Sequence, residues 1–226
     1  MKKYKMNLPN VLLILFITYL IVVIFIFFYQ RKLLYHPSEN NYLDETNLNH
    51  KIEKIYIQSD TELISWYYNN NKSYKTILFF HGNAGRLDNR VYKLNELAKL
   101  NINYLIVAYR GFSGNQGKPS EEGIYKDSNA AKKWLNENGI NDKNIVLYGE
   151  SLGTAVAVDL ASKNNFAGII LESPFTSMIK LAKKYYPYLP VTILLKDKYE
   201  SENKLKKINA PILIMHGKKD TIVPFE

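Results

Sequence analysis

The sequence predicts an α/β protein: a doubly wound, mostly parallel sheet in one domain, preceded by a single helix that crosses a membrane. Two observations support this fold class. From residue 51 onward, short apolar runs alternate with longer helix-like segments, which is typical of a parallel sheet that carries helices on both faces. Ahead of them, residues 11–29 form an apolar run without a charge, a glycine or a proline.

The apolar runs are predicted to be strands. Residues 52–58 and 63–68 are expected to form an opening antiparallel pair, while the continuous runs that follow are typical of strands buried on both faces. These continuous runs are residues 76–80, 104–108, 145–148, 168–171 and 212–215. Helices are predicted between them at residues 87–100, 120–138 and 152–163, and in the Tyr- and Pro-rich stretch at 174–207.

Residues 11–29 are predicted to be an uncleaved membrane anchor. Nineteen helical residues span about 28 Å, close to the hydrocarbon thickness of a bilayer. A signal peptide fits less well, because the run is longer than a usual apolar signal region and no small-residue cleavage site follows it. A buried core helix is the other alternative, but a helix that is apolar all round at a chain terminus suits lipid better.

The chain is therefore divided into a basic segment at 1–10, the anchor at 11–29, a polar connector at 30–50 and one domain at 51–226. Basic residues flank both ends of the anchor. The slight excess before it favours a cytosolic N-terminus, with the main domain outside the cytoplasm.

Composition excludes several classes of function. The net charge is +9, but lysines are interspersed with Asp and Glu, and no basic stripe is interleaved with aromatic residues. Nucleic acid is therefore not an expected partner, and a solvated basic surface facing anionic lipid is the better interpretation. The absence of cysteine removes disulfides, thiolate metal sites and Cys nucleophiles. No metal-ligand cluster or phosphate-binding P-loop is recognisable in the sequence.

The strongest chemical motif is Gly-Glu-Ser-Leu-Gly at residues 149–153, between a predicted strand and a predicted helix. A strand-to-helix turn of this G-x-S-x-G type exposes the serine hydroxyl, and its glycines allow close backbone packing. The N-terminus of the following helix brings N–H groups and a positive dipole end near the serine. The motif predicts Ser151 as a nucleophile.

A second motif, His-Gly-Asn-Ala-Gly at residues 81–85, directly follows the predicted strand at 76–80. A loop in this position donates one backbone N–H to an oxyanion hole, and the residue after the nucleophile donates the other. The predicted donors are Asn83, or alternatively Ala84, together with Leu152. His81 either shapes this loop by hydrogen bonding, which we favour, or serves as a general base.

A third motif, His-Gly-Lys-Lys-Asp at residues 216–220, follows the predicted strand at 212–215. It places Asp220 at the carboxyl end of a late parallel strand, where catalytic groups gather in open α/β sheets. An Asp in this position orients and stabilises a catalytic imidazolium. The alternative is an ordinary aspartate in a surface loop.

In this order, the motifs resemble the small membrane-anchored branch of the α/β-hydrolase superfamily, the bud-emergence-suppressor and depalmitoylase-like serine hydrolases. The similarity also includes Leu-Tyr-His-Pro at 34–37, Tyr-Arg-Gly-Phe-Ser-Gly at 109–114, the glycine-bounded segment at 117–123 and Glu-Ser-Pro-Phe-Thr-Ser at 172–177. It therefore covers nearly everything from residue 33 onward. The resemblance implies an α/β-hydrolase-type sheet, Ser151 as the nucleophile, Asp220 as the acid and no cofactor.

The motif order departs from this family after Asp220. Such hydrolases follow the acid with a histidine, but the six residues after Asp220 contain none. The last strand, the last helix and the histidine loop of the family fold are therefore expected to be missing. Three interpretations stay open: a fragment of a longer enzyme, the product of a broken or split gene, or a non-catalytic relative.

The predicted function is hydrolysis of an ester, thioester or amide through an acyl-Ser151 intermediate. The expected partners are a small-molecule or acylated substrate, and membrane lipid around the N-terminal helix. The alternative is a catalytically inactive, membrane-tethered binding module. Residues 175–198 are expected either to cover the site as a short lid or to pack as ordinary helices. The loop at 109–111 is expected to brace the site rather than to bind phosphate.

Overall fold

The computed structural model describes residues 7–38 and 47–225, so residues 1–6 of the predicted basic segment and 39–46 of the predicted connector lie outside the described residues. The main strands are β2 (Glu53–Gln58), β3 (Glu62–Tyr68), β4 (Lys75–Phe80), β6 (Ile102–Val107), β7 (Ile145–Glu150), β8 (Gly168–Glu172) and β9 (Ile212–Met215). They form one seven-stranded sheet in the order β2-β3-β6-β4-β7-β8-β9. Two short strands, β1 (His36–Pro37) and β5 (Ala84–Gly85), pair with each other in parallel.

Strand direction follows the predicted pattern. β2 pairs with β3, and β3 with β6, in antiparallel fashion. All other neighbours are parallel, from β6 and β4 through β7 and β8 to β9. The α/β class with a mostly parallel sheet is therefore confirmed. The carboxyl ends of β4, β7, β8 and β9 meet at one edge of the sheet, where loops of an open α/β fold build ligand sites.

The helices of the domain are α2 (Val91–Ala98), α3 (Glu121–Glu137), α4 (Leu152–Ala161), α5 (Met178–Tyr185), α6 (Val191–Leu194) and α7 (Ser201–Leu205). The predicted helix at 87–100 begins with a 3₁₀ turn at Leu87–Arg90 and becomes α-helical only at Val91. The predicted stretch at 174–207 is divided into α5, α6 and α7. Pro187 and Pro190 lie between α5 and α6, and proline cannot donate the hydrogen bond that would continue a helix.

The sheet is covered on both faces, because alternate residues of each strand point to opposite sides. On β4, Leu78 and Phe80 belong to the cluster that packs against α3 and α4. Ile77 and Phe79 belong to a second cluster, which contains Leu94 of α2. Burial on both faces explains why the strands read as continuous apolar runs in the sequence.

A buried ion pair ties the loop after β6 to α3. Asp127 is fully buried and accepts hydrogen bonds from the Arg110 backbone at 2.9 Å, from its guanidinium at 2.6 Å and from the Ser59 hydroxyl at 2.9 Å. Asp60 also contacts the Arg110 guanidinium, at 3.4 Å. The Tyr-Arg-Gly loop is therefore fixed to α3, and its arginine is occupied by carboxylates.

The N-terminal helix is longer than the predicted anchor. α1 spans Leu8–Leu34 and begins after Asn7, whose side chain accepts a hydrogen bond from the Asn10 N–H at 3.2 Å. It ends before Tyr35, which has an extended backbone. The next residue, His36, precedes Pro37, and a residue before a proline avoids helical geometry. The prediction counted only the uncharged run and therefore missed both ends. Among the described helices, α1 is the one long and apolar enough to cross a membrane.

The last turns of α1 are docked on the domain. Gln30 is buried and bridges α6, donating to the Leu194 carbonyl at 3.0 Å and accepting from the Lys196 N–H at 2.8 Å. Arg31 forms a two-pronged ion pair with Asp197, at 2.8 and 2.9 Å. The carboxy-terminal part of α1 is thus part of the folded domain rather than the start of the predicted connector.

β9 forms one edge of the sheet in the described part of the chain. Its four residues are between 38% and 58% exposed although all are large and apolar, unlike those of the other parallel strands: Ile212, Leu213, Ile214 and Met215. Exposed apolar residues on an unpaired edge are a site for further strand pairing or for aggregation.

Replacing Asp127 with asparagine is expected to destabilise the domain by about 3 kcal/mol, because removing one partner of a buried ion pair leaves the other charge uncompensated. Urea unfolding of the detergent-solubilised chain measures the loss. Glu137→Gln is the matched control, since Glu137 pairs with Lys133 on an exposed helix surface and exposed pairs contribute little. Equal stability of the two variants would contradict the assignment of Asp127 as a structural brace.

Replacing Gln30 with alanine is expected to loosen the contact between α1 and α6, because the Leu194 carbonyl and the Lys196 N–H lose their partners. Amide hydrogen exchange at residues 191–197 is then expected to accelerate about tenfold or more, a loss of about 1–3 kcal/mol. Gln58→Ala is the control, because that exposed amide bonds only the adjacent Ser59 carbonyl. Unchanged exchange in Gln30→Ala would show that the bridge does not hold the helix.

Candidate active site

Ser151 occupies a strained turn between β7 and α4. Its backbone angles are φ 51° and ψ −113°, a conformation that side-chain-bearing residues rarely adopt and that commonly marks functional sites. The Ser151 N–H donates to the Glu172 carbonyl at the end of β8, at 2.8 Å. The turn thus lies at the carboxyl edge of the parallel strands, where the sequence motif predicted it.

Two glycines allow the close packing around this turn. A methyl group on Gly149 would lie 2.5 Å from the Gly153 carbonyl oxygen, and one on Gly153 would lie 2.0 Å from the Phe80 carbonyl oxygen. Neither position has room for a side chain. The first turn of α4 therefore packs directly against the ends of β4 and β7.

The two predicted oxyanion donors lie at the same edge of the sheet. Leu152 is the first residue of α4, so its N–H has no acceptor within the helix. Asn83 follows β4, which is the direct neighbour of β7, with Phe80 opposite Gly149. No acceptor in the described residues takes up the Asn83 backbone N–H.

The segment at the end of α1, residues 34–37, holds the loop that contains Asn83; we call this segment the strap. The Asn83 carbonyl accepts from the His36 N–H at 2.8 Å, and its side chain donates to the Leu34 carbonyl at 2.8 Å. β1 and β5 extend this contact as a two-residue parallel pair, with His36 opposite Ala84. No role for the Asn83 side chain was predicted from the sequence. The one sequence feature that points to this contact is the Leu-Tyr-His-Pro motif after the apolar run.

Asp220 lies in the loop after β9 and is fixed by backbone groups. Its Oδ1 accepts from the Val223 and Ile222 N–H groups, both at 2.9 Å. These hydrogen bonds, first that of Val223, and a further one from the Ser173 hydroxyl hold the pKa of Asp220 below its ordinary value. Asp220 is therefore a carboxylate at neutral pH. Ser173 also connects it to the serine turn, since it directly follows Glu172, the acceptor of the Ser151 N–H.

None of the four histidines is placed as a base for Ser151. Two lie away from the hydroxyl: His36 is exposed on the strap, and His50 bonds the Tyr104 hydroxyl on the far sheet face. His216 lies next to Asp220, with Nε2 at 3.6 Å from Oδ2, but the same nitrogen is 2.8 Å from the Val223 carbonyl. In the described part of the chain, no imidazole lies within hydrogen-bond distance of the Ser151 hydroxyl.

His81 has a structural position. Its ring is buried against Tyr109, with ring centroids 4.2 Å apart, and its Nδ1 lies 2.7 Å from the Gly82 carbonyl. Burial lowers the pKa of His81 to about 3, assisted by the nearby Arg90. The ring is therefore neutral at physiological pH and packs beneath the oxyanion loop, consistent with the favoured expectation that it shapes this loop.

A cluster of charged side chains was not predicted. Glu150, directly before Ser151, binds Arg90 at 2.8 Å and Lys93 at 2.9 Å. Lys93 also binds Glu172, which accepts from the Tyr148 hydroxyl at 2.5 Å. Burial opposes ionisation of Glu150, but Arg90 and Lys93 outweigh it and keep its pKa below the ordinary value. These contacts tie α2 to the carboxyl ends of β7 and β8, and no sequence motif joined those distant residues.

Comparison with known proteins relates this architecture to a family. The prolyl oligopeptidase family matches residues 92–226. A Mycobacterium tuberculosis protein is 36% identical over 208 residues, covering 90% of this chain and 74% of that protein. Protein bem46 of Schizosaccharomyces pombe is 32% identical over 222 residues, covering 91% of this chain and 74% of its own length.

Other comparisons support the same relationship. Human alpha/beta hydrolase domain-containing protein 17B is 36% identical over 66% of this chain, which spans about half (51%) of that protein. The Pyrococcus furiosus esterase Pf2001 shares the fold, with a TM-score of 0.67, 23% identity and coverage of 84% of this chain and 80% of the esterase. The resemblance to bem46 and depalmitoylase-like hydrolases is confirmed. The chain belongs to the prolyl oligopeptidase family of α/β hydrolases.

Proposed function

We propose that this chain is a membrane-anchored serine hydrolase that cleaves an ester, thioester or amide through an acyl-Ser151 intermediate. The observation that carries the proposal is the strained turn of Ser151, with φ 51° and ψ −113° between a parallel strand and a helix N-terminus. Such a turn presents a nucleophile while the helix supplies an oxyanion donor. Membership of a hydrolase family supports this chemistry.

The proposed roles follow from the geometry. The Ser151 oxygen attacks the substrate carbonyl, and the developing oxyanion accepts hydrogen bonds from the Leu152 N–H and from that of Asn83, with Ala84 as the alternative donor. The leaving group departs with a proton, and water then releases the acyl group from Ser151. Asp220 is the carboxylate that would orient an imidazolium. No cofactor enters these steps.

The serine proton needs an acceptor that the described histidines do not provide. All four histidines of the sequence lie in the described residues, and none reaches the Ser151 hydroxyl. We therefore propose that the catalytic imidazole comes from outside these 226 residues. The exposed edge of β9, which precedes Asp220, is the position at which a further strand would bring it to the carboxylate.

The proposed location is a single-pass membrane protein with lipid around α1. The helix is fully apolar over a window long enough to cross a bilayer. Lysines before the helix favour a cytosolic N-terminus with the domain on the other side, although Arg31 and Lys32 lie in its last turn. Proximity to lipid favours a small-molecule or acylated substrate.

The second candidate is a membrane-tethered binding module with a hydrolase fold. One observation favours it: in the described residues no imidazole lies within hydrogen-bond distance of the Ser151 hydroxyl. Without a base the serine keeps a high pKa and reacts slowly. The two candidates differ in whether Ser151 reacts once a base is supplied.

Added imidazole is expected to activate Ser151. The full-length chain in detergent is treated with a fluorophosphonate, with and without free imidazole, and labelling is measured by gel fluorescence and peptide mapping. We expect imidazole to raise labelling at least tenfold, because it can accept the serine proton beside Asp220. Ser151→Ala is expected to abolish the signal. Ser162→Ala, at the other end of α4, is expected to keep it. A folded protein that never labels would favour the binding module.

Replacing Gly153 with alanine is expected to abolish this imidazole-supported labelling. The new methyl group would lie 2.0 Å from the Phe80 carbonyl oxygen, so α4 must move away from β4 and carry the oxyanion donor with it. Overpacking of this kind costs about 1–3 kcal/mol, and thermal unfolding measures it. Gly168→Ala serves as the control, because its methyl group would meet only the Pro211 carbonyl at an ordinary 3.5 Å. Labelling of Gly153→Ala at the unaltered rate would refute the proposed geometry.

A further inference from the structure

A groove lies between the anchor helix and the segment that contains α5 and α6. It has a volume of about 300 Å³. One wall is α1, with Val22, Ile26 and Leu33; the opposite wall includes Met178, Ala182 and Leu189. The groove is therefore built in part by the same helix that we propose to cross the membrane.

The polar side chains at its edge are occupied by protein partners. Gln30 uses its amide to bridge the Leu194 carbonyl and the Lys196 N–H. Asp197 accepts from Arg31 and from the Glu121 N–H. These contacts leave a predominantly apolar lining, which is typical of a site for an apolar ligand.

The wall of the groove formed by the segment with α5 and α6 contacts a part of α1 that would lie in the bilayer if α1 spans it. The Tyr19 hydroxyl donates to the Tyr188 carbonyl at 3.0 Å. From Leu8 to Tyr19 the helix rises only about 17 Å, roughly half of the ~30 Å hydrocarbon core that it has to cross. If α1 crosses the bilayer, Tyr188 and its neighbours therefore lie at the membrane boundary or within it.

The outer surface of this segment has the composition of a membrane-contacting surface. Ile193 is 87% exposed and Tyr188 is 67% exposed, and Tyr185 and Tyr186 are also exposed. Tyrosines of this kind are enriched at the membrane–water interface. Lys183 and Lys184 end α5 beside them, where lysines favour anionic headgroups. The groove therefore opens next to lipid rather than next to bulk water.

One end of the groove, which we call the inner end, is connected to the loop after β4 through Leu34. Leu34 lines the groove, and its carbonyl accepts from the Asn83 side chain at 2.8 Å. From Val22 to Leu34 the helix rises about 18 Å, so the residues of α1 that line the groove extend as far as the residue that binds the Asn83 side chain. A chain bound along α1 would present its head at that loop.

We propose that this groove binds a single acyl chain of a lipid that enters sideways from the bilayer. The binding requires that α1 lies in the bilayer, as proposed above, but it does not require catalysis. The further step, cleavage of the lipid ester at the inner end by Ser151, rests on the function proposed above. The anchor helix is then one wall of the substrate site as well as a tether.

Photo-crosslinking tests the binding directly. The full-length chain is reconstituted in phosphatidylcholine vesicles that carry a diazirine in one acyl chain, irradiated and mapped by mass spectrometry. We expect crosslinks in the peptides at 178–195, reduced at least fivefold in Ala182→Trp, which fills the groove. Ile21→Trp is the matched control, because it adds the same side chain at a position that is 61% exposed on α1. Ala182→Leu is expected to give an intermediate loss, with hydrogen exchange as the measure of folding.

Crosslinks confined to α1, or groove crosslinks that are unchanged in both Ala182 variants, would overturn the proposal. Protein–protein crosslinks at the same peptides would also overturn it, by showing that a second copy covers the groove.

A second experiment compares imidazole-supported labelling of Ser151 by ethyl and dodecyl fluorophosphonates. We expect Ala182→Trp to reduce only the dodecyl reaction. Lipid crosslinks without any labelling would reject the hydrolase function but keep the groove, while equal labelling of the variant by both probes would reject the groove as its substrate site.

Discussion

The close approach of α4 to the central strands is the constraint on which the site depends. Gly153 lies so near the Phe80 carbonyl that no side chain fits between them. This contact sets the helix N-terminus directly behind Ser151 and requires the sharp turn with φ 51°. Strain at one residue is maintained because the parallel strands and the buried helix on either side are fixed by extensive apolar packing. The position of the Ser151 turn and that of the α4 N-terminus behind it both depend on this one contact.

The last turns of α1 are hydrogen-bonded to the domain beside the candidate site. Residues that follow the apolar run pair with the loop after β4, while Gln30 and Arg31 bind the segment around α6. The same helix therefore borders the loop that contains Asn83 on one side and the apolar groove on the other. These hydrogen bonds fix the orientation of the last turns of α1 relative to the domain.

The charged groups near the carboxyl edge have distinct structural roles. Glu150 forms ion pairs with Arg90 and Lys93, which keep its pKa below the ordinary value. Lys93 also pairs with Glu172, so α2 is joined to the ends of β7 and β8. Asp220 is held ionised by backbone N–H groups in its own loop. Its charge is therefore balanced by backbone dipoles, whereas that of Glu150 is balanced by basic side chains.

The fold class, the strand positions and the serine turn could be predicted from the amino-acid sequence, because continuous apolar runs and the G-x-S-x-G turn are local signals. The predicted α1 was too short at both ends, since capping by Asn7 and docking of Gln30 lie outside the apolar run. Three features became visible only in the folded chain: the bond between the Asn83 side chain and Leu34, the contacts of Arg90 and Lys93 with Glu150, and the groove beside α1. These contacts join residues far apart in the chain, so no local periodicity or motif records them.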